Sequence, residues 1–520
     1  MSTSKENYEI RDLEKRGGSR SDDDYAESHS NPAVETAEAE YTKLSFLDNL
    51  AAKLRAETKG IEPITDDEKD DPSILNAASM WFSANMVIAA FALGVLGPMV
   101  FKINFWGSVI AVVVFSFLGI LPVAFYSVFG VELGLRQMVL SRFLLGNVTA
   151  RIFALINVIA CVGWGAVNTI ASAQLLHMVN PHGAQCPPWA GCLIIVLSTI
   201  LVTFFGYRVI HAYEKWSWIP NFAVFLVIIA RLKINGSFTV GEWVSGPTTA
   251  GGILSMGGVV FGFATGWTTY AADYTVYMPR STNRARVFFA VMAGLMFPLC
   301  FAIILGAAAG CASLNNKTYG DFYESDGVGG LVYAILVPNS VGGFGQFCCV
   351  LLAMSTVANN IPNMYSIALG TQAMWGPLAK VPRVLWTIAG NFVTLAIAIP
   401  AYYKFTSFMS NFMDAIAYYL SIYIGISITE HVVFRKARFS SYHVQDWNTW
   451  SALPVGVAGC CALFVGAVGV ALGMEQTYWT GEIGRKIGDF GGDIGFELGF
   501  SFSVVTYLAL RPLELRWLGR

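Results

Sequence analysis

From about residue 78 onward, long apolar runs alternate with short polar loops. Measured against the roughly 20 residues that a helix needs to cross a bilayer, the runs predict about twelve transmembrane helices. They fall near 78–100, 106–129, 149–177, 189–211, 216–235, 252–272, 286–312, 341–373, 383–402, 408–430, 450–472 and 494–511. The 328–338 stretch is apolar but too short to span and is expected at the interface. Residues 1–77 carry no such run. Ser, Asp, Glu and Lys dominate there, as in Ser19-Arg20-Ser21-Asp22-Asp23-Asp24 and Asp66-Asp67-Glu68-Lys69-Asp70-Asp71. That composition cannot bury a core and reads as a disordered tail. The tail lacks the basic-then-apolar signature of a cleaved signal peptide, so the first spanning helix is expected to act as its own insertion signal.

Composition agrees with the pattern. The 520 residues are 55% hydrophobic and 13% charged, with a mean hydropathy of +0.53. Soluble domains carry about 25% charged residues, so the fold class is an all-α polytopic membrane protein. Of the 33 Lys and Arg residues, ten lie in the tail up to Lys69. If the tail is cytoplasmic, 13 more fall in inner loops against 7 in outer loops. The positive-inside rule expects that bias and places both termini in the cytoplasm. Sequons at Asn235 and Asn316 then lie in outer loops.

Several classes of chemistry are absent from the pattern. Six His residues, among them His177, His182 and His211, are scattered, and no metal-ligand cluster stands out. Nine Cys residues lie mostly in apolar runs as packing groups, and Cys186 and Cys192 are read as unpaired. No Walker or dinucleotide glycine motif occurs, and no large basic patch invites nucleic acid. Paired catalytic carboxylates, a zinc motif and a nucleophile elbow are missing, so an enzyme is not expected.

The polar residues inside the apolar runs carry the functional signal. Ala358-Asn359-Asn360-Ile361-Pro362-Asn363-Met364-Tyr365-Ser366 sits within a spanning run. Three amides and a proline at that depth are costly unless they face a protein interior or a wet cavity. Trp164 and Asn168, four residues apart, share a helix face. Phe91-Ala92-Leu93-Gly94-Val95-Leu96-Gly97-Pro98 in the first run is expected to interrupt its helix. So are Gly257-Gly258, Gly262 and Thr265-Gly266-Trp267-Thr268-Thr269 in the sixth. Interrupted helices opening two successive five-helix units point to an inverted-repeat transporter. Trp164 and Trp267 would supply aromatic plates for a flat heterocycle, and an amide such as Asn363 would pair its donor–acceptor edge.

These stretches, with Met80-Trp81-Phe82-Ser83-Ala84-Asn85-Met86 and Ala271-Ala272-Asp273-Tyr274, resemble the fungal purine–cytosine permeases of the nucleobase–cation symporter family 1. The resemblance runs from about Asp71 to the C-terminus. It implies a LeuT-type 5+5 inverted repeat plus two C-terminal helices: 1–77 a cytoplasmic tail, 78–235 and 252–430 the repeats, 450–511 the added pair and 512–520 a short cytoplasmic end. It also implies proton-coupled uptake of cytosine, adenine, guanine and hypoxanthine across the plasma membrane, with no cofactor. Substrate contacts are expected at Trp164, Asn168, Gly266, Trp267, Asn360 and Asn363, and helix shaping at Gly94, Gly97, Pro98 and Pro362. Where some relatives have a hydroxyl on the first helix, this chain reads Val87-Ile88-Ala89-Ala90-Phe91, which removes a hydrogen bond worth about 0.5–1.5 kcal/mol.

Proton coupling needs a titratable group at membrane depth, for which Asp414, Glu430 and Asp273 are candidates. Sodium coupling would instead use Ser355 and Thr356. A vitamin permease for pyridoxine or thiamine is the competing transport reading, and a transporter-like nutrient receptor is the competing reading from another class.

Overall fold

The computed structural model describes residues 60–71, 73–181, 183–204 and 215–520. Residues 1–59 of the predicted tail therefore lie outside the described residues. Part of the predicted disordered tail is ordered. Ile61 and Ile64 are buried, Ile64 N donates to Gly134 O at 2.9 Å and Asp71 N to Tyr277 O at 3.2 Å. Lys69 Nζ reaches Val131 O at 3.0 Å. Two apolar anchors in an otherwise charged stretch are enough to lay it along one end of the helices.

The first predicted span is two helices, α1 (Ile74–Asn85) and α2 (Ile88–Met99), bent by 54°. Between them Val87 is extended at φ −134° and ψ 159°. The first N–H of α2, on Ile88, has no partner in its own helix and donates to Ser355 Oγ at 3.1 Å. The expected interruption at Gly94, Gly97 and Pro98 is thus misplaced, because all three are helical. A Cβ on Gly94 would stand 1.8 Å from Ile303 O, and one on Gly97 would stand 2.5 Å from Ser108 Oγ. These glycines allow helices to touch, and Pro98 lies one residue before the end of α2, where a missing N–H matters little.

Next come α3 (Phe105–Leu133), α4 (Gln137–Leu145), α5 (Asn147–Met178), α6 (Pro188–Phe204) and α7 (Trp218–Ile234). Residues 205–211 of the predicted fourth span lie outside the described residues. Helix α8 (Pro247–Thr265) then tightens into 3-10 turns at Gly266–Tyr270 and Ala272–Tyr274. Of the glycines expected to interrupt it, only Gly266 does so. Gly257 and Gly262 are helical and face the Phe115 ring and Met413 O.

The rest is α9 (Arg284–Asn315), α10 (Lys317–Leu336), α11 (Gly343–Met374), α12 (Gly376–Ala379), α13 (Arg383–Ala401), α14 (Phe405–Thr429), α15 (Val457–Gly473) and α16 (Gly495–Leu518). A two-residue hairpin, β1 (Glu475–Gln476) against β2 (Trp479–Thr480), lies between the last two helices. Helix α10 breaks at Asp326–Gly327, and its second half, Val328–Leu336, is buried against the end of α5 rather than interfacial. Helix α15 begins later than predicted because Pro454 and Gly456, at φ +100°, keep the chain in a loop.

Among the described residues, six helical segments are long and apolar enough to cross a membrane, or seven with the bent α1–α2 pair. Lateral packing joins α5 to α11, α2 to α9, α3 to α8 and α15 to α16. The α2–α9 contact is backbone on backbone: a Cβ on Gly306 would lie 1.9 Å from Phe91 O. Helix α11 passes through Pro362 without a break. Both sequon asparagines are engaged, Asn235 Nδ2 with Tyr319 Oη at 2.5 Å and Asn316 Nδ2 with Ser237 Oγ at 2.9 Å.

Candidate substrate site

Trp164 on α5 and Trp267 on the 3-10 turn after α8 are buried with ring centroids 6.5 Å apart and planes within 20°. Two observations explain how they come to face one another. Gly266 lets the Trp164 edge lie against the chain, since a Cβ there would be 2.6 Å from Trp164 Cζ2. The 3-10 turn then carries Trp267 off the α8 axis, and its Nε1 donates to Asn85 Oδ1 at 3.1 Å. Phe263 and Phe412 pack edge-on against Trp164 at 5.1 and 5.8 Å.

The amides of α11 form the adjoining wall. Asn168 Nδ2 donates to Asn359 Oδ1 at 2.7 Å and to Asn360 Oδ1 at 2.9 Å. Asn359 Nδ2 continues to Ala84 O, the end of α1, at 2.6 Å. Asn363 donates to Asn359 O at 3.1 Å and accepts from Tyr270 Oη at 2.8 Å. Tyr270 in turn packs against Trp267, centroids 5.6 Å apart. All six expected contact residues therefore belong to one hydrogen-bonded and stacked constellation. Sequence reasoning missed its braces Asn85, Asn359 and Tyr270. Asn359 stood in plain view within the motif, and Asn85 stood beside Trp81 in a stretch used only for its resemblance.

Among the described residues, Trp164 Nε1 and Asn168 Oδ1 are buried without a hydrogen-bond partner, as is Nε1 of Trp81, whose ring packs on Trp267 at 5.1 Å. An orphaned buried group costs about 1–3 kcal/mol, and such atoms are few in native proteins. Here a donor and an acceptor sit four residues apart on one face of α5. That combination can receive a molecule with both donors and acceptors on its rim.

A family model described as permease for cytosine/purines, uracil, thiamine, allantoin matches residues 63–481. The chain belongs to that family. It is 63% identical over 99% of its length to the purine-cytosine permease FCY2 of Saccharomyces cerevisiae, covering 98% of that protein. It is 45% identical to purine-cytosine permease fcyB of Emericella nidulans, over 91% of this chain and 92% of that one. Its fold matches Mhp1, a nucleobase-cation-symport-1 family transporter solved with bromovinylhydantoin bound, at TM-score 0.65 and 16% identity, over 89% of this chain and 96% of that one. This purine–cytosine permease is accordingly a multi-pass membrane transporter and not an enzyme.

The three coupling candidates differ in surroundings. Asp273 Oδ1 accepts from Gln137 N at 2.7 Å and so caps the start of α4. Glu430 is held by Arg511 at 3.0 Å, Arg435 at 3.1 Å and Tyr507 at 3.0 Å, an arrangement that fixes the ends of α14 and α16. Asp414 on α14 is buried and, among the described residues, accepts only from Gln476 Nε2, at 2.8 Å. Ser355 and Thr356, the sodium candidates, are already bonded to Leu352 O at 2.5 Å and Ser172 Oγ at 2.6 Å.

Proposed function

We propose that the protein is a secondary active transporter importing nucleobases, cytosine and purines such as adenine, guanine and hypoxanthine, by proton symport across the plasma membrane. The near-parallel indoles with unpaired Trp164 Nε1 and Asn168 Oδ1 beside them carry this reading. A flat base stacked on both faces needs about 7 Å between planes. Asn168, Asn360 and Asn363 read the base edge, and Gly266 and Pro362 shape the walls. The chain crosses the membrane twelve times, as repeats 78–235 and 252–430 plus the pair 450–511, with both termini cytoplasmic.

A proton suits the coupling role better than sodium. Among the described residues Asp414 Oδ1 is buried without a partner, and a carboxyl so placed can take up a proton, whereas the Ser355 and Thr356 hydroxyls do not titrate. Uptake of radiolabelled cytosine and adenine in cells lacking their own permeases tests the reading, competed with bases, pyridoxine and thiamine. Bases should compete and the vitamins should not. Uptake should rise as external pH falls from about 7 to about 5, collapse with a protonophore and ignore replacement of sodium by choline. Competition by pyridoxine or thiamine alone would establish the vitamin carrier instead.

A further inference from the structure

A second cluster of buried polar groups lies where α8, α14, α16 and the β1–β2 hairpin meet. Gln476 Nε2 lies within hydrogen-bond distance of two carboxylates, Asp414 Oδ2 at 2.8 Å and Asp493 Oδ2 at 2.9 Å, and of Tyr418 Oη at 2.8 Å, three acceptors for two N–H groups. The two acids have unequal company. Asp493 also accepts from Glu475 N at 2.8 Å, from Gly495 N at 2.9 Å and from Tyr418 Oη. Among the described residues Asp414 has Gln476 alone, and its Oδ1 has no partner although the residue is only 2% exposed. That oxygen faces the α8 backbone, where a Cβ on Gly258 would be 3.0 Å away.

The titratable groups around the pair are Tyr418 on α14, Glu475 and Tyr478 in the hairpin segment, and Glu497 on α16. From α8 come only Ser255 and Gly258, which do not titrate. Among the described residues no Lys, Arg or His forms an ion pair with Asp414 or Asp493, and no group of acids is placed to hold a metal ion. Two buried anions sharing one donor repel strongly in a medium of low dielectric. One proton removes the conflict, and the donors decide where it sits. The acid rich in N–H and O–H donors keeps the charge, and the poorly served one keeps the proton.

We propose that Asp414 and Asp493 form a shared-proton pair, with the proton on Asp414 and the charge on Asp493, and that this pair couples the proton to transport. The coupling half rests on the symport reading above. Both residues meet the first part of the broken α8: Asp493 through its backbone N–H, which donates to Ser255 Oγ at 2.9 Å, and Asp414 through its carboxyl, which faces Gly258 one turn further on. That helix leads directly to Gly266 and Trp267. When Asp414 passes its proton to water, a second anion faces Asp493 across Gln476, and the repulsion drives α14 and the hairpin apart beside α8.

The test uses the full chain, purified into lipid nanodiscs. The infrared spectrum should show a protonated carboxyl band near neutral pH that loses amplitude in Asp414→Asn, and in Asp493→Asn that band should titrate away at lower pH. An unchanged band in Asp414→Asn would overturn the pair. In cells, the ratio of uptake at pH 5 to uptake at pH 7 should fall to about 1 in both variants, while exchange of labelled for unlabelled cytosine persists and Asp414→Glu restores the ratio. A lowered maximal rate with the original pH ratio would overturn the coupling role and leave a structural one. Should unsubstituted uptake ignore pH and protonophore, the symport reading fails, and the infrared measurement still decides the pair.

Discussion

Trp267 Nε1 donates to Asn85 Oδ1 over 3.1 Å, and this bond joins the two interrupted spans at their interruptions. Asn85 is the last residue of α1, and its own Nδ2 is tethered to Trp81 O at 2.8 Å, so its oxygen is aimed at the indole. Asn85→Leu should release the ring. A bond worth about 0.5–1.5 kcal/mol translates into a rise in KM of roughly 2- to 10-fold for every base, with surface levels unchanged. Equal KM values for Asn85→Leu and the unsubstituted protein would show that the indole is held by packing alone.

Asn363→Ala should abolish uptake while the protein still reaches the cell surface. It removes both the amide offered to a base and the acceptor of Tyr270 Oη, at a cost of about 1–3 kcal/mol for each stranded partner. Tyr270→Phe removes only the second of these and should be milder. Kinetics on surface-labelled cells separate the two, and near-normal transport by Asn363→Ala would remove it from the site.

Alanine at Trp164 or Trp267 should raise KM for all bases, with phenylalanine milder, because stacking needs a ring face but no particular edge. Gly266→Ala should act in the same direction, since its methyl would meet Trp164 at 2.6 Å. Unchanged affinity in both tryptophan-to-alanine variants would make the indoles packing groups.

Asn168→Ser should change the ranking of bases more than it changes expression. The amide spends its nitrogen on Asn359 and Asn360 and leaves Oδ1 open, and a shorter hydroxyl cannot serve both. Competition assays with a panel of bases would show it. A uniform loss for all bases with poor surface levels would mean that Asn168 chiefly ties α5 to α11.

Gly94→Val should lower the thermal midpoint of the detergent-solubilised protein and its surface level, without altering KM in the molecules that remain. The branched side chain has no room against Ile303 O, and overpacking typically costs about 1–3 kcal/mol or more.

The helices and the polar and aromatic residues that cluster between them were legible because each leaves a local mark: an apolar run, an amide where lipid should be, a tryptophan one turn from an asparagine. The point where a helix breaks was not. Gly94, Gly97 and Gly266 look alike in the chain, and only the neighbouring helix decides whether a glycine serves close approach or unwinding. The first break falls at Val87, which has no breaker chemistry and is stabilised by Ser355, some 270 residues away. Asp493 was passed over for a related reason. It stands in a loop and becomes buried only when the hairpin folds over α14.

The bare backbone crossing of α2 and α9 has a kinetic meaning. Two helices whose main chains touch at Gly94 and Gly306 have no side chains between them to act as bearings, so they travel as one piece. Helix α1 rests on α9 in the same way, since a Cβ on Gly294 would lie 2.5 Å from Ala78 O, and α11 holds both sides of the bend through Asn359 on Ala84 O and Ser355 on Ile88 N. The bend at Met86–Val87 is thus clamped from two sides, and both halves of the first span share one bed.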